Sequence, residues 1–311
     1  MKPLRLVPDN TAIDFVKWRF FGFGISLILV LITIGGLFST GLNLGIDFRG
    51  GILIEARAQQ TIDSAALRQQ LGSLGLGEVQ LQQFGGPNDV LIRVQQQEGG
   101  DAAQNEAVQK VRTALGDSYE YRRVELVGPR VGGELMRQGA IATVLAIMAI
   151  AAYVAFRFEW QFGVSALIAT FHDVFVTLGL FIVLQLEFDL TAVAALLTLA
   201  GYSINDTVVV FDRMREQMRK HKSADLKTII NMSVNQTLGR TILTSGTTLL
   251  AILPLLLFGG SALHNFTLAL FWGILVGTFS SIYVAASILL YLPAIRRGGE
   301  SVKQGQTAGA A

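Results

Sequence analysis

The chain has 311 residues, of which 51% are hydrophobic and 15% charged, well below the roughly 25% charged content of an ordinary soluble domain. A net charge of +2 gives no support to nucleic-acid binding. The lack of cysteine excludes disulfides and thiolate metal sites.

Residues 1–19 are a basic N-terminal segment, and 20–39 are a first apolar run. No A-x-A-like cleavage site follows GFGISLILVLITIGGLF, so the run reads as a retained membrane anchor. Residues 40–137 have a different texture. GGILIEARA predicts a strand, and TIDSAALRQQLGSLG a helix with Thr61 or Asp63 as N-cap. EVQLQQF and DVLIRVQ alternate as strands around a GGPN turn. DAAQNEAVQKVRTALG predicts a second helix and YEYRRVELVG a last strand. The order β-α-β-β-α-β is the split βαβ, or ferredoxin-like, arrangement. This region has no His or Cys, and its acids are scattered, so it reads as a binding or lever module.

Five further apolar segments follow, at 138–156, 162–184, 190–211, 241–258 and 266–292. No Lys, Arg, Asp or Glu lies between Arg240 and Arg296, and GGSALHN breaks that stretch near its middle. One crossing of ~30 Å of hydrocarbon takes roughly 20 residues, so the stretch is a hairpin of two membrane helices. Residues 212–240 form a basic loop whose Ile229, Ile230, Met232 and Val234 predict an amphipathic helix on the membrane surface, in contact with lipid; the competing reading is a solvated loop. Basic residues crowd the N-terminal segment, this loop and the tail at 293–311, whereas the loops at 185–189 and 259–265 have none. The positive-inside rule then puts both termini in the cytoplasm and the 40–137 domain outside. The expected class is an α-helical membrane protein of six transmembrane helices with an α+β ferredoxin-like domain between the first and second.

Ionisable groups at membrane depth are costly and call for a role. Asp206, in GYSINDTVVVFDRMRE, cannot face lipid, and must be neutral, paired or in a wet cavity. Thr237, Arg240, Thr244 and Thr248 recur at helical spacing on one face of the fifth segment. If that face meets the fourth segment, Arg240 is the natural partner of Asp206, either as a proton site or as a static pair fixing helix packing. His172 and Asp173 lie near the middle of the third segment, their side chains ~100° apart and not obliged to touch. Asp173 reads as an accessory relay or ion-pair residue. His172 reads as a hydrogen bond to a neighbouring helix, with a proton relay as the alternative. Asp212 and Arg213 read as a solvated interfacial pair. Gly273 and Gly277 form a GxxxG packing signal. No P-loop is present, and the GVSA and YSIND contexts do not fit an intramembrane protease. No enzyme activity, metal or organic cofactor is expected.

Six segments are shared with a known family: GIDFRGG at 45–51, VGPRVGGEL at 127–135, FHDV at 171–174, GYSINDTVVVFDRMRE at 201–216, QTLGRTILTSGTTLL at 236–250 and SSIYVA at 280–285. With them the chain resembles the SecD–SecF family, accessory subunits of the bacterial Sec protein translocase, in its smaller SecF branch. The resemblance implies a resistance-nodulation-division architecture in the inner membrane. It also implies pairing with SecD, contact with the SecYEG channel and YajC, and work on translocating preproteins driven by protons as coupling ion. It carries a proton-conduction role onto Asp206 and Arg240. Asn205 stands where the family often has a second acid. Asp47, Arg49, Gly50 and Gly51 are expected to form the joint between the first helix and the external domain. A passive assembly subunit and a small-molecule or lipid exporter of the same superfamily are the alternatives.

Overall fold

The computed structural model describes residues 8, 11–83, 86–293 and 295. In chain order the elements are α1 (Arg19–Ser39), β1 (Asn43–Leu44), α2 (Ile46–Arg49), β2 (Gly51–Ala58), α3 (Ser64–Gly72), β3 (Val79–Gln83), β4 (Asp89–Val94), α4 (Gly100–Leu115), β5 (Tyr119–Val127), α5 (Pro129–Arg157), α6 (Trp160–Val183), β6 (Glu187–Phe188), α7 (Leu190–Lys220), α8 (Leu226–Phe258) and α9 (Ser261–Ser280). A π turn at Ser281–Ala285 continues α9 into α10 (Ala286–Ile288). Six spans among these residues are long and apolar enough to cross a membrane.

The spans divide into an inner and an outer group. Within the most apolar window, 56% of α6 and of the α9–α10 span is buried, against 6% of α5 and 11% of α8. The outer helices present Phe156, Phe258 and Leu250 outward, as lipid-facing surfaces do. Small residues let the inner helices approach. A Cβ on Gly36 would overlap Ile182, on Gly179 would overlap Thr33, and on Gly273 would overlap Leu199.

The small domain is a four-stranded antiparallel sheet in the order β3-β4-β2-β5, backed by α3 and α4. With α3 after β2 and α4 after β4, this is the ferredoxin-like topology. Asp63 caps α3, its carboxylate accepting from the backbone of Ala65 and Ala66. Ile54 lies opposite Ile92 on one side and Val124 on the other, and Ile52, Ile54, Ile92, Leu71 and Val111 are fully buried.

Three expectations need correction. First, the fourth helix does not end at 211: α7 runs on to Lys220. Second, the surface helix expected within 212–240 is the first part of α8, which continues unbroken into the fifth span. Ile229, Ile230 and Val234 are buried against Phe15, Val16, Met214 and Met218, so protein rather than the membrane surface covers that apolar face. Third, the second span starts at Pro129, inside the segment assigned to the domain, because Gly132 packs on the carbonyl of Phe48 and draws α5 up against α2. Most of the tail at 293–311 and residues 1–7 lie outside the described residues.

Candidate functional site

Two carboxylates are buried where α6, α7, α8 and α9 meet, and they are held differently. Asp173 on α6 is 0% exposed. Its Oδ2 accepts from Ser203 on α7 at 2.5 Å and from Ser280 on α9 at 2.6 Å. Its Oδ1 lies 2.9 Å from His172 Nδ1. The two serine hydroxyls donate to this carboxyl, and His172 Nδ1 joins them in the tautomer that carries its proton on that nitrogen. Gly277 makes room for this cluster, since its Cα faces Ser203 and Asp173 across α9.

Asp206 on α7 is 3% exposed, and its partners come from α8. Thr244 stands 3.4 Å from Oδ1, and Ser245 stands 3.3 Å from Oδ2. Both distances exceed those of a strong O–H···O bond, and both hydroxyls have better acceptors. Thr244 lies 3.0 Å from the carbonyls of Arg240 and Thr241. Ser245 lies 2.7 Å from Thr278 Oγ1, whose own proton points to the Ile274 carbonyl at 2.7 Å. A hydroxyl has one proton to give. When Thr244 and Ser245 spend theirs on the shorter contacts, an ionised Asp206 is left short of donors. A protonated Asp206 would itself donate to either oxygen. The arrangement suits a carboxyl that gains and loses a proton, whereas Asp173 suits a fixed anchor.

Arg240 does not complete the site as expected. Its residue is exposed, and among the described residues no ion pair within 4.0 Å joins it to Asp206. Thr248 meets the Tyr202 hydroxyl at 3.3 Å rather than a carboxylate. His172 bonds its own neighbour on α6, not another helix, and its Nε2 is buried without a partner among the described residues. Asp212 and Arg213 do not pair with each other. Asp212 lies 3.8 Å from Arg157, and Arg213 bonds Glu216 and Gln236. Asp47 and Arg49 lie in α2, Gly50 follows it, and Gly51 opens β2. Gly50 has φ +74° and Gly51 φ +121°, which side-chain-bearing residues rarely adopt.

The threonine stripe of α8 is legible in the sequence, whereas the serines Ser203, Ser245, Ser280 and Ser281 are not. Ser203 precedes Asp206 by three residues and so shares its helix face, a spacing that could have flagged it. In the structure Ser281 bonds Thr207 at 2.9 Å and Ser280 bonds Asp173. Ser280 precedes and Ser281 opens a π turn, a feature frequent at functional sites, and Ser165 donates to the Ala285 carbonyl within that turn at 2.5 Å.

Residues 107–294 match the family described as protein export membrane protein SecD/SecF, C-terminal, and residues 35–62 match the SecD/SecF GG motif. The chain is 43% identical over 304 residues to the protein translocase subunit SecF of Rhodobacter capsulatus, covering 93% of this chain and 91% of that one. It is 44% identical over 291 residues to SecF of Rickettsia bellii, covering 92% and 95%. The crystal structure of SecDF, a translocon-associated membrane protein from Thermus thermophilus, superposes with a TM-score of 0.84 at 36% identity. That match covers 93% of this chain and 39% of the SecDF chain. A SecDF structure in a super-membrane-facing form superposes with a TM-score of 0.68, also at 36% identity, over 94% of this chain and 40% of that one. With a family match across more than half its length and relatives above 40% identity over nearly all of it, the chain belongs to the SecD/SecF family of protein-export membrane proteins, in the SecF branch.

Proposed function

We propose that this multi-pass subunit, paired with SecD, uses the proton motive force to promote late steps of preprotein movement through the SecYEG channel, with YajC as a further partner. Both termini lie in the cytoplasm and the ferredoxin-like domain lies outside, in keeping with the basic residues of the 212–240 region and the uncharged 259–265 turn. Asp206 takes a proton from the outer side, α7 and α8 repack, and the external domain tilts about the joint at Asp47, Arg49, Gly50 and Gly51. Loss of the proton toward the cytoplasm resets the cycle. Arg240 acts at the cytoplasmic end of this route, one helical turn before Thr244. Asp173 and His172 hold α6, α7 and α9 in register around it.

The observation that carries this reading is the mismatch at Asp206: a carboxylate 3% exposed, within a membrane span, faced by two hydroxyls at 3.3 and 3.4 Å that have shorter contacts elsewhere. The test compares Asp206→Asn and Arg240→Met with the parent in proton-gradient-dependent export from inverted membrane vesicles. Loss of the gradient-stimulated component with normal complex abundance is expected. Parent-level export by Asp206→Asn ends the proton-site reading.

The missing ion pair between Asp206 and Arg240 favours one alternative, in which Asp206 only pins α7 to α8. Asp206→Asn would then lower the amount of assembled complex and leave the response of the remaining complex to the gradient unchanged.

A further inference from the structure

At the domain end of the bundle, a set of polar contacts ties the external domain to the α6–α7 turn. Asn43 and Leu44 pair in parallel with Glu187 and Phe188, a two-stranded ribbon that joins the joint region to that turn. The Gly45 amide donates to the Phe188 carbonyl at 2.8 Å. Asp47 Oδ2 accepts from the Leu190 amide at 2.9 Å, so a joint residue binds the first turn of the helix that carries Asp206. Phe188 stacks on Phe48 and meets Phe181 edge-on.

The domain itself reaches this ribbon through Arg93, which also lies 3.5 Å from Asn43 Oδ1. Arg93, on β4, donates to Glu187 Oε2 at 2.5 Å, and both side chains are only 12% exposed. Burial pushes the Glu187 carboxyl up, and the Arg93 guanidinium works against that shift. Asp189 and Asp47 also face this carboxyl, and both oppose its charge. Arg93 is the cation that offsets part of the cost of burying the Glu187 charge there. The turn is strained as well: Gln185 has φ +49°, rare for a residue of its kind. It is kept there by its own Nε2 on the carbonyls of Gly41 and Ile182, and by Asn43 Nδ2 on its carbonyl. Such conformations persist only where neighbours over-determine them.

Beside the pair, a cavity of about 350 Å³ separates the joint from the sheet, lined by Ile46, Arg49 and Gly50 on one side and Gln80, Arg93 and Gln95 on the other. Away from the α2–α5 packing, the domain is thus fastened at the Arg93–Glu187 pair and has open space next to it. We propose that the Arg93–Glu187 pair is a releasable clasp, and that Arg93, Glu187 and Asp47 are positioning residues that couple α7 to the external domain. Movement of α7 pulls on Asp47 and the β1–β6 ribbon directly, and reaches β4 through the clasp. The driving motion rests on the reading of Asp206; the clasp itself does not.

The chain contains no cysteine, so Gln109→Cys on α4 and His264→Cys on α9, both exposed, can carry two spin labels without background. Distances are measured by pulsed electron paramagnetic resonance on the full chain with its SecD partner in lipid nanodiscs, with no gradient. Removing one partner strands a buried charge, whereas reversing both restores the pair. Arg93→Glu and Glu187→Arg are each expected to raise a displaced population by about a hundredfold or more, the order implied by breaking a buried pair. The double variant carrying both changes is expected to restore the parent distribution and gradient-driven export. Unchanged distributions in both single variants overturn the clasp, and so does a displacement that the double variant fails to reverse. Normal gradient-driven export by Asp206→Asn, in contrast, overturns the proton reading and leaves the distance result standing.

Discussion

Asp173 and Asp206 lie on neighbouring helices, yet the count of available protons separates them. Ser203 and Ser280 each give their proton to Asp173 over 2.5 and 2.6 Å, while Asp206 competes for the protons of Thr244 and Ser245. A hydrogen bond to a buried charge is worth about 1.5–3 kcal/mol. Ser280→Ala is therefore expected to destabilise the bundle by about that much, read as a lower thermal midpoint in detergent. Ser245→Ala, which removes only a long contact to Asp206, is expected to cost less. The reverse order would mean that Asp206, not Asp173, is the anchor. Asp206 was legible in the sequence, because an acid in an apolar run has to be accounted for. The roles of the two acids were not, because they depend on which hydroxyls reach which oxygen across three helices.

At the scale of elements, close packing of α7 on α9 sets Asp206 and brings the Asp173 donors Ser203 and Ser280 together. A Cβ at Gly273 would overlap Leu199, whereas one at Gly24 on α1 would meet nothing within 4 Å. Gly273→Val is expected to cost about 1–3 kcal/mol by overpacking, whereas Gly24→Ala should be neutral or stabilise by up to about 1 kcal/mol through helix propensity. Thermal midpoints of the two variants check both outcomes. In the external domain, β2 and β4 are linked by Arg57 and Asp89, whose nitrogens and oxygens meet at 2.7 Å in two places. The Arg57 guanidinium, by hydrogen bonding, holds the Asp89 carboxyl below the usual range, against burial. A group lowered in this way stabilises the fold above its unfolded value of about 3.9, and the benefit fades as pH falls through the folded value. Asp89→Asn should therefore weaken the sheet at neutral pH and flatten its acid sensitivity below about pH 4. Hydrogen exchange of the β2 and β4 amides in the full chain measures both effects. The strands and helices of this domain were readable because alternation and a single N-cap, Asp63, act locally. The continuity of α8 was not, because the burial of Ile229 and Ile230 depends on Phe15 and Met214 from distant parts of the chain.

At the scale of the whole molecule, a sheet domain and a helix bundle meet at the α2–α5 packing, the β5–α5 connection, the β1–β6 ribbon and the Arg93–Glu187 pair. A charge crossing the membrane yields ~2.3 kcal/mol per 100 mV, enough to shift a two-state equilibrium by about 50-fold at ~1.4 kcal/mol per tenfold. If Asp206 is where that energy enters, the ratio of export with and without a gradient should fall toward one in Asp206→Asn while basal export persists; an undiminished ratio would remove the energetic basis of the cycle. The amino-acid sequence by itself determined the six spans, the ferredoxin-like order, the buried acid and the two glycines at the start of the sheet. Each of these follows from local chemistry: apolar length, residue alternation, the cost of a charge in hydrocarbon and the backbone freedom of Gly50 and Gly51. Only the tertiary structure decided that Thr244 and Ser245 face Asp206, that Ser203 and Ser280 hold Asp173, and that Arg93 reaches Glu187. Those pairs lie from 30 to 107 positions apart along the chain, and no local pattern records which polar groups a folded bundle will bring within hydrogen-bonding reach.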